Sequence, residues 1–199
     1  MNRRLPALAL LLAPIVALAA CGGASAPDQP PPLAGARIGG AFALTDQDGR
    51  RVTDRDLAGR YRIMYFGYTY CPDVCPVDVQ AIGAGLAAFE KAAPARGSKV
   101  VPVFVSVDPG RDTAPVLKQF VNAFHPRMIG LTGTRAEIDA VTKAYGIFYK
   151  IDPPGPGGGY LVSHSRQAYL MAPDGTPVAL LPADQGPQAV TAELERWVK

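Results

Sequence analysis

The run from Lys99 to Val107 carries valine at five positions and phenylalanine at 104, without an alternating polar face. A strand this continuously apolar has to be covered on both sides, so it belongs inside a sheet flanked by helices. A second run, Ile63-Met64-Tyr65-Phe66, reads as another buried strand. Between the two, from Pro76, apolar residues fall at Val79, Ile82, Leu86 and Phe89, the three-and-four spacing of a helix with one buried stripe. Pro76 suits its first turn, where a missing N–H costs nothing, whereas Gly83 and Gly85 weaken its interior.

The remaining segments continue the alternation. Asp46-Gln47-Asp48-Gly49, set between Phe42–Thr45 and Arg50–Thr53, predicts a hairpin, with a short helical turn from Asp54 to Gly59 after it. Asp112 or Thr113 is a candidate cap for a helix over 114–124, and a strand over 128–131 and a helix from about Thr134 follow. Ile147 to Lys150 reads as a further strand. The segment 152–159 is too rich in proline and glycine for helix or central strand and reads as a mobile loop. Ala168–Met171 and Pro177–Leu181 flank the turn at Pro173-Asp174-Gly175, and a helix over 188–198 closes the chain. Residues 38–199 are thus expected to form one α/β domain, a thioredoxin-like sandwich with an additional N-terminal β-hairpin. Met64, Met128 and Met171 fall in predicted strands and read as core.

The N-terminus reads as an address. Arg3 and Arg4 precede an apolar run from Leu5 to Ala20, somewhat short of the about 20 residues that a spanning helix needs. The run ends Leu18-Ala19-Ala20-Cys21-Gly22, which looks like a bacterial lipobox. Residues 1–20 are then a lipoprotein signal peptide and Cys21 the residue that takes the lipid. Residues 21–37, with Pro30-Pro31-Pro32, read as a flexible linker that holds the domain off a membrane. The expected location is therefore outside the cytoplasm, anchored by lipid and facing the periplasm or the cell exterior. Of the net charge of +3, two positives are Arg3 and Arg4, so the body has no basic stripe and nucleic acid is excluded as a partner.

With Cys21 assigned to lipid, two cysteines remain in an oxidising compartment. Cys71 and Cys75 lie in Gly67-Tyr68-Thr69-Tyr70-Cys71-Pro72-Asp73-Val74-Cys75-Pro76, between a strand end and a helix start. A helix start favours negative charge and makes thiols more acidic. Two such sulfurs can hold a soft ion, above all Cu(I) and also zinc, or exchange a disulfide with a partner. Three residues separate them, one more than in thioredoxin-type redox enzymes, which leaves a wider opening suited to an ion. Of the two histidines, His125 reads as a cap or surface residue at a helix end. His164 follows the glycine-rich loop and can be brought to another loop as a third ligand.

These residues carry a resemblance. Gly67 to Pro76, the run Ser106-Val107-Asp108-Pro109-Gly110-Arg111-Asp112-Thr113, and Tyr160-Leu161-Val162-Ser163-His164-Ser165 followed by Tyr169-Leu170-Met171 resemble the SCO/SenC family, in the expected order and over nearly all of 38–199. Members of that family are thioredoxin-fold, membrane-tethered copper proteins that help deliver copper to the CuA centre of cytochrome c oxidase. The resemblance implies Cys71, Cys75 and His164 as copper ligands. The family commonly has an acidic residue just before the ligand histidine, where this chain has Ser163, which hydrogen-bonds but brings no charge. Asp73 and Asp78 are nearby acids that suit either partner recognition or the helix N-terminus. Asp108, Arg111 and Asp112 read as a turn, an ion pair and a helix cap.

The leading expectation is a metallochaperone rather than an enzyme. It would bind copper, Cu(I) first and Cu(II) as the other candidate oxidation state, and pass it to the CuA-bearing subunit of cytochrome c oxidase or another periplasmic copper protein. The alternative is a thiol–disulfide oxidoreductase in which Cys71 and Cys75 are the redox pair acting on cysteines of a copper-receiving partner. Thioredoxin-type enzymes place a proline before the strand that faces the cysteines, and Ser165-Arg166-Gln167 contains none.

Overall fold

The computed structural model describes residues 29–155 and 157–199. The expected signal peptide, Cys21 and the first part of the linker, up to residue 28, lie outside the described residues. At the start of the described chain, Leu33 donates its N–H to the Val178 carbonyl at 3.0 Å and packs on the core.

The strands are β1 (Ala43–Asp46), β2 (Arg51–Thr53), β3 (Tyr61–Gly67), β4 (Val100–Ser106), β5 (Ile129–Thr132), β6 (Tyr149–Ile151), β7 (Val162–His164), β8 (Ala168–Met171) and β9 (Pro177–Leu181). The helices are α1 (Val74–Ala92), α2 (Pro94–Gly97), α3 (Ala114–Phe124), α4 (Arg135–Ala144) and α5 (Pro187–Trp197). Seven strands form one sheet in the order β2-β1-β5-β4-β3-β8-β9, and β6 and β7 form a separate two-stranded ribbon. β3 and β4 run parallel from Tyr61 beside Val100 to Gly67 beside Ser106, the two apolar runs that the sequence marks as buried. Every residue of β4 is buried, as a strand with no solvated face requires. The sequence-predicted hairpin is β1–β2, and β1 joins the sheet by pairing antiparallel with β5.

Successive side chains of β3 point to opposite faces. Tyr65 faces α1, where its hydroxyl meets Asp78. Phe66 faces the other way, onto Tyr145 at the end of α4, with ring centroids 5.2 Å apart. α5 and α3 both pack on α1, so the longest helix is enclosed between the sheet and its neighbours. Gly83 is what lets α3 come so near. A Cβ there would lie 2.5 Å from the Phe124 carbonyl oxygen and 3.5 Å from the His125 side chain. The glycine that weakens the helix pattern in sequence is a contact point in space.

Several expectations are revised. α1 begins at Val74, so Cys75 sits in the first helical turn and Pro76 just behind it. His125 ends α3 as expected, but it is buried rather than a surface residue. Of the two cap candidates for α3, Thr113 is the N-cap residue but makes no side-chain capping bond, and the Asp112 carboxylate bonds Ser106 and Thr69 instead. Met64, Met128 and Met171 are core residues, as predicted.

Candidate metal centre

The parallel strands β3 and β4 end side by side, and the cysteine segment leaves the sheet at that edge. Carboxyl ends of parallel strands are where an open α/β sheet leaves room for a ligand. Gly67 closes β3 and has no side chain to fill the space. A Cβ there would lie 2.8 Å from Sγ of Cys75 and 3.0 Å from the Tyr65 ring. The missing side chain is the volume that the Cys75 thiol occupies, and Cys75 is fully buried. Cys71, half-buried, lies just before the helix, and both thiols are free. The Cys75 N–H, one of the donors that a helix start leaves without a backbone partner, points at Sγ of Cys71 at 3.5 Å.

His164 ends β7, opposite Tyr149 of β6. Its Nδ1 lies 2.8 Å from the Ser165 carbonyl oxygen, an acceptor, so Nδ1 carries the proton and Nε2 the lone pair. Nε2 lies 3.0 Å from Sγ of Cys75, whose S–H donates to it. The rings of Tyr68 and Tyr65 stand edge-on to the imidazole, with centroids 5.9 and 6.5 Å away. Among the described residues, Cys71, Cys75 and His164 form a group whose two sulfurs and one ring nitrogen all lie within 4.8 Å of one another. Two thiols and an imidazole without a carboxylate oxygen suit a soft ion, Cu(I) before the hard cations.

Burial changes the electrostatics that the helix start alone suggests. It pushes the Cys75 thiol well above the ordinary cysteine range, and the neighbouring Cys71 adds to the rise. Cys75 is therefore a thiol until something replaces its proton, contrary to the expectation of an acidic residue at a helix N-terminus. Burial also lowers His164, keeping its imidazole neutral and its Nε2 lone pair free.

Two side-chain systems enclose the trio. On α1, Asp78 is buried and accepts hydrogen bonds from Tyr65 and Arg166. On the turn after β4, Asp108 and Asp112 are also buried. Asp108 pairs with Arg111 and accepts from the Tyr160 hydroxyl at 2.9 Å. Arg111 donates to the Tyr160 carbonyl at 2.9 Å and stacks 3.7 Å from the Tyr160 ring centroid, with Tyr70 and Tyr68 at 5.2 and 5.5 Å. Asp112 accepts from Ser106 and Thr69. One turn thus holds both the cysteine segment and the loop leading to His164. Asp73 is exposed and makes no capping bond, whereas Ser163 donates at 2.9 Å to Asp152, the residue just after β6. Sequence reasoning quoted Gly67, Thr69, Tyr160 and Arg166 within its motifs but gave none of them a role in the site. Arg166 stands two residues from His164, but nothing in its neighbourhood announces a partner 88 positions away.

The SCO1/SenC family profile matches residues 30–199. SenC of Rhodobacter capsulatus is 49% identical over 140 residues, which cover 70% of this chain and 61% of that protein. The matched region is thus less than two thirds of that relative's length. A copper-bound crystal structure of Arabidopsis thaliana ScoI superposes with a TM-score of 0.74 at 38% identity, covering 80% of this chain and 96% of that one. A copper-bound structure of Bradyrhizobium japonicum ScoI gives a TM-score of 0.72 at 40% identity, covering 81% and 99%.

Proposed function

This chain belongs to the SCO1/SenC family, and from that premise we propose that it is a copper chaperone of cytochrome c oxidase assembly, exported and held at a membrane by lipid on Cys21. Copper is its cargo, carried by Cys71, Cys75 and His164 and passed to the CuA-bearing subunit of the oxidase. The observation that carries this reading is the convergence of two sulfurs and one lone-pair nitrogen within 4.8 Å. The copper-bound relatives of the same fold support the choice of metal.

The residues divide the work. Cys71 is the more open of the two sulfurs and the first that an arriving donor or recipient can reach. Fully buried Cys75 and half-buried His164 face each other behind it. Loading replaces the Cys75 proton by the metal. Release proceeds by ligand exchange, with donor atoms of the recipient taking the place of the chain's own one at a time. The Ser165 carbonyl holds the imidazole in the tautomer that binds through Nε2 throughout.

The decisive experiment is metal stoichiometry on full-length protein purified under reducing conditions. One Cu(I) per chain is expected, lost in Cys71→Ser and in Cys75→Ser. Tight copper binding by the double serine variant would refute the ligand assignment. Incorporation of labelled palmitate, abolished by Cys21→Ser, tests the anchor.

A thiol–disulfide role is favoured by one observation, a half-exposed Cys71 beside a buried Cys75, the arrangement of an attacking thiol backed by a resolving one. His164→Ala separates the two activities, because it removes a metal ligand and leaves both sulfurs in place.

A further inference from the structure

The ribbon that presents His164 is not hydrogen-bonded into the seven-stranded sheet: β6 pairs with β7 and with no strand of the sheet. A ligand on such an element needs something else to set its distance from the cysteines. Arg166, two residues beyond His164, reaches across to α1. There its Nε donates to Oδ2 of Asp78 at 3.0 Å and its Nη2 to Oδ1 at 2.7 Å, a two-pronged fork on one carboxylate. Asp78 lies three residues after Cys75 on the same helix, about one turn further in. It is 1% exposed, so the pair is no surface ion pair of negligible strength, although the Arg166 side chain is 45% exposed at its other end. The Tyr65 hydroxyl donates to the same Oδ2 at 2.9 Å, and the Tyr65 ring stands edge-on to His164.

We propose that the Asp78–Arg166 pair is the positioning device of the copper site: it ties the helix that carries Cys75 to the segment that carries His164 and so holds the imidazole over the buried sulfur. The proposal rests on the copper-site reading given above. Both ends of the fork are attached to ligand-bearing segments within three residues of the ligand; the Arg111–Tyr160 contacts hold the loop before the ribbon, and the fork adds a direct tie between α1 and the segment just after His164. A lysine in place of Arg166 keeps the charge but loses the fork, and therefore the orientation.

The test uses the full chain in detergent, with Arg166→Gln, Arg166→Lys, His164→Ala and the double variant Arg166→Gln/His164→Ala. Amide hydrogen exchange on the copper-free protein and Cu(I) affinity by competition with a coloured chelator are measured on each. In Arg166→Gln, exchange over Val162–Ser165 speeds up while the sheet is unchanged, and Cu(I) affinity falls about tenfold, the lower end of losses for residues that orient a metal ligand. Arg166→Lys recovers part of both. In the His164→Ala background, Arg166→Gln costs no further affinity, because the effect runs through the imidazole. An equal loss in that background, or unchanged affinity and exchange in Arg166→Gln, overturns the proposal. If Arg166→Gln does not fold, Asp78→Asn/Arg166→Gln removes both charges and decides by the same readouts. Failure of the wild type to bind Cu(I) refutes the copper reading alone, and the exchange measurement still tests whether the pair holds the ribbon.

Discussion

Thr69 and Asp112 lie 43 residues apart in the chain, yet the N–H and the hydroxyl of Thr69 both donate to the Asp112 carboxylate, at 3.0 and 2.6 Å. Ser106 adds a third donor at 2.6 Å. Arg111, one residue away, pairs with Asp108 instead, so neutral donors hold this buried carboxylate. Two consecutive ends of the site, the strand that finishes at Ser106 and the loop that leads to Cys71, are pinned to one side chain.

Removing that side chain strands its donors in the interior. An unsatisfied buried polar group costs about 1–3 kcal/mol. Asp112→Ala is therefore expected to destabilise the copper-free protein by about 3 kcal/mol, and Thr69→Val, which removes a single hydroxyl, by about 1 kcal/mol. Urea unfolding midpoints check both. Cu(I) affinity should fall in each, since Thr69 is two residues from Cys71. Equal stability of Asp112→Ala and wild type would show that the loop is held by something else.

Gly67 makes a sharper demand, because the side chain it lacks is the space that the Cys75 thiol fills. Gly67→Ala places a methyl 2.8 Å from Sγ, 3.0 Å from Tyr65 Cε1 and 3.2 Å from Phe104 Cε2. Overpacking of this kind costs about 1–3 kcal/mol. The expected result is a destabilised protein with weakened Cu(I) binding, measured by thermal unfolding and chelator competition. Shortening the opposing side chain relieves the clash, so in a Cys75→Ala background the stability penalty of Gly67→Ala should shrink by more than half. A penalty of the same size in both backgrounds would exclude the thiol as the partner.

The grouping of Cys71, Cys75 and His164 was legible in sequence through local pattern and family resemblance together: two cysteines between an apolar strand and a helix stripe, and one histidine after a glycine-rich loop. The strand–helix order was legible through continuous runs such as Lys99–Val107 and the stripe from Val79 to Phe89. What escaped depends on chain segments far apart. Asp78 reads as helix-terminal charge because sequence shows its neighbours on α1 and not Arg166, 88 residues on. His125 reads as a cap or surface residue, and only its burial escapes, because the bareness of Gly83, 42 positions earlier, is what brings α3 close enough to bury it. Of the β6–β7 ribbon, the strand expected over 147–150 overlaps β6, whereas β7, three residues with only Val162 buried, is too short for any period to register. The acidity expected of a thiol at a helix start holds for a solvated turn, and burial reverses it at Cys75.

That reversal sets a proton count. With its thiol pushed above the ordinary range by burial, Cys75 holds its proton throughout pH 6–8, and Cu(I) has to displace it. At least one proton per metal should be released, and apparent affinity should rise about tenfold per pH unit for each proton released. Titration in buffers of different ionisation enthalpy counts the protons directly. Metal uptake with no proton release between pH 6 and 8 would contradict a buried, protonated Cys75.

His125 gives copper-free stability its own pH dependence. Its Nδ1 accepts the Arg127 N–H at 3.2 Å, and its Nε2 lies 3.4 Å from Glu90, which also pairs with Arg127. Burial lowers its affinity for a proton, Glu90 opposes that and Arg127 adds to it, with a net fall below the ordinary value of 6.5. The unfolded chain, whose histidine keeps the ordinary value, then binds the proton first as pH falls. Stability from this group is complete above 6.5 and is lost as pH drops from there through the lower folded value. His125→Asn keeps an acceptor near Nδ1 and removes the titration. Subtracting its unfolding free energy from that of the wild type cancels the other titrating groups, His164 included. The difference should be flat from pH 7 to 8 and should fall between 6.5 and 5, to the disadvantage of the wild type. A difference that is flat throughout would mean that folding leaves the proton affinity of His125 unchanged, and one that rises on acidification would mean that His125 is charged in the folded protein and paired with Glu90.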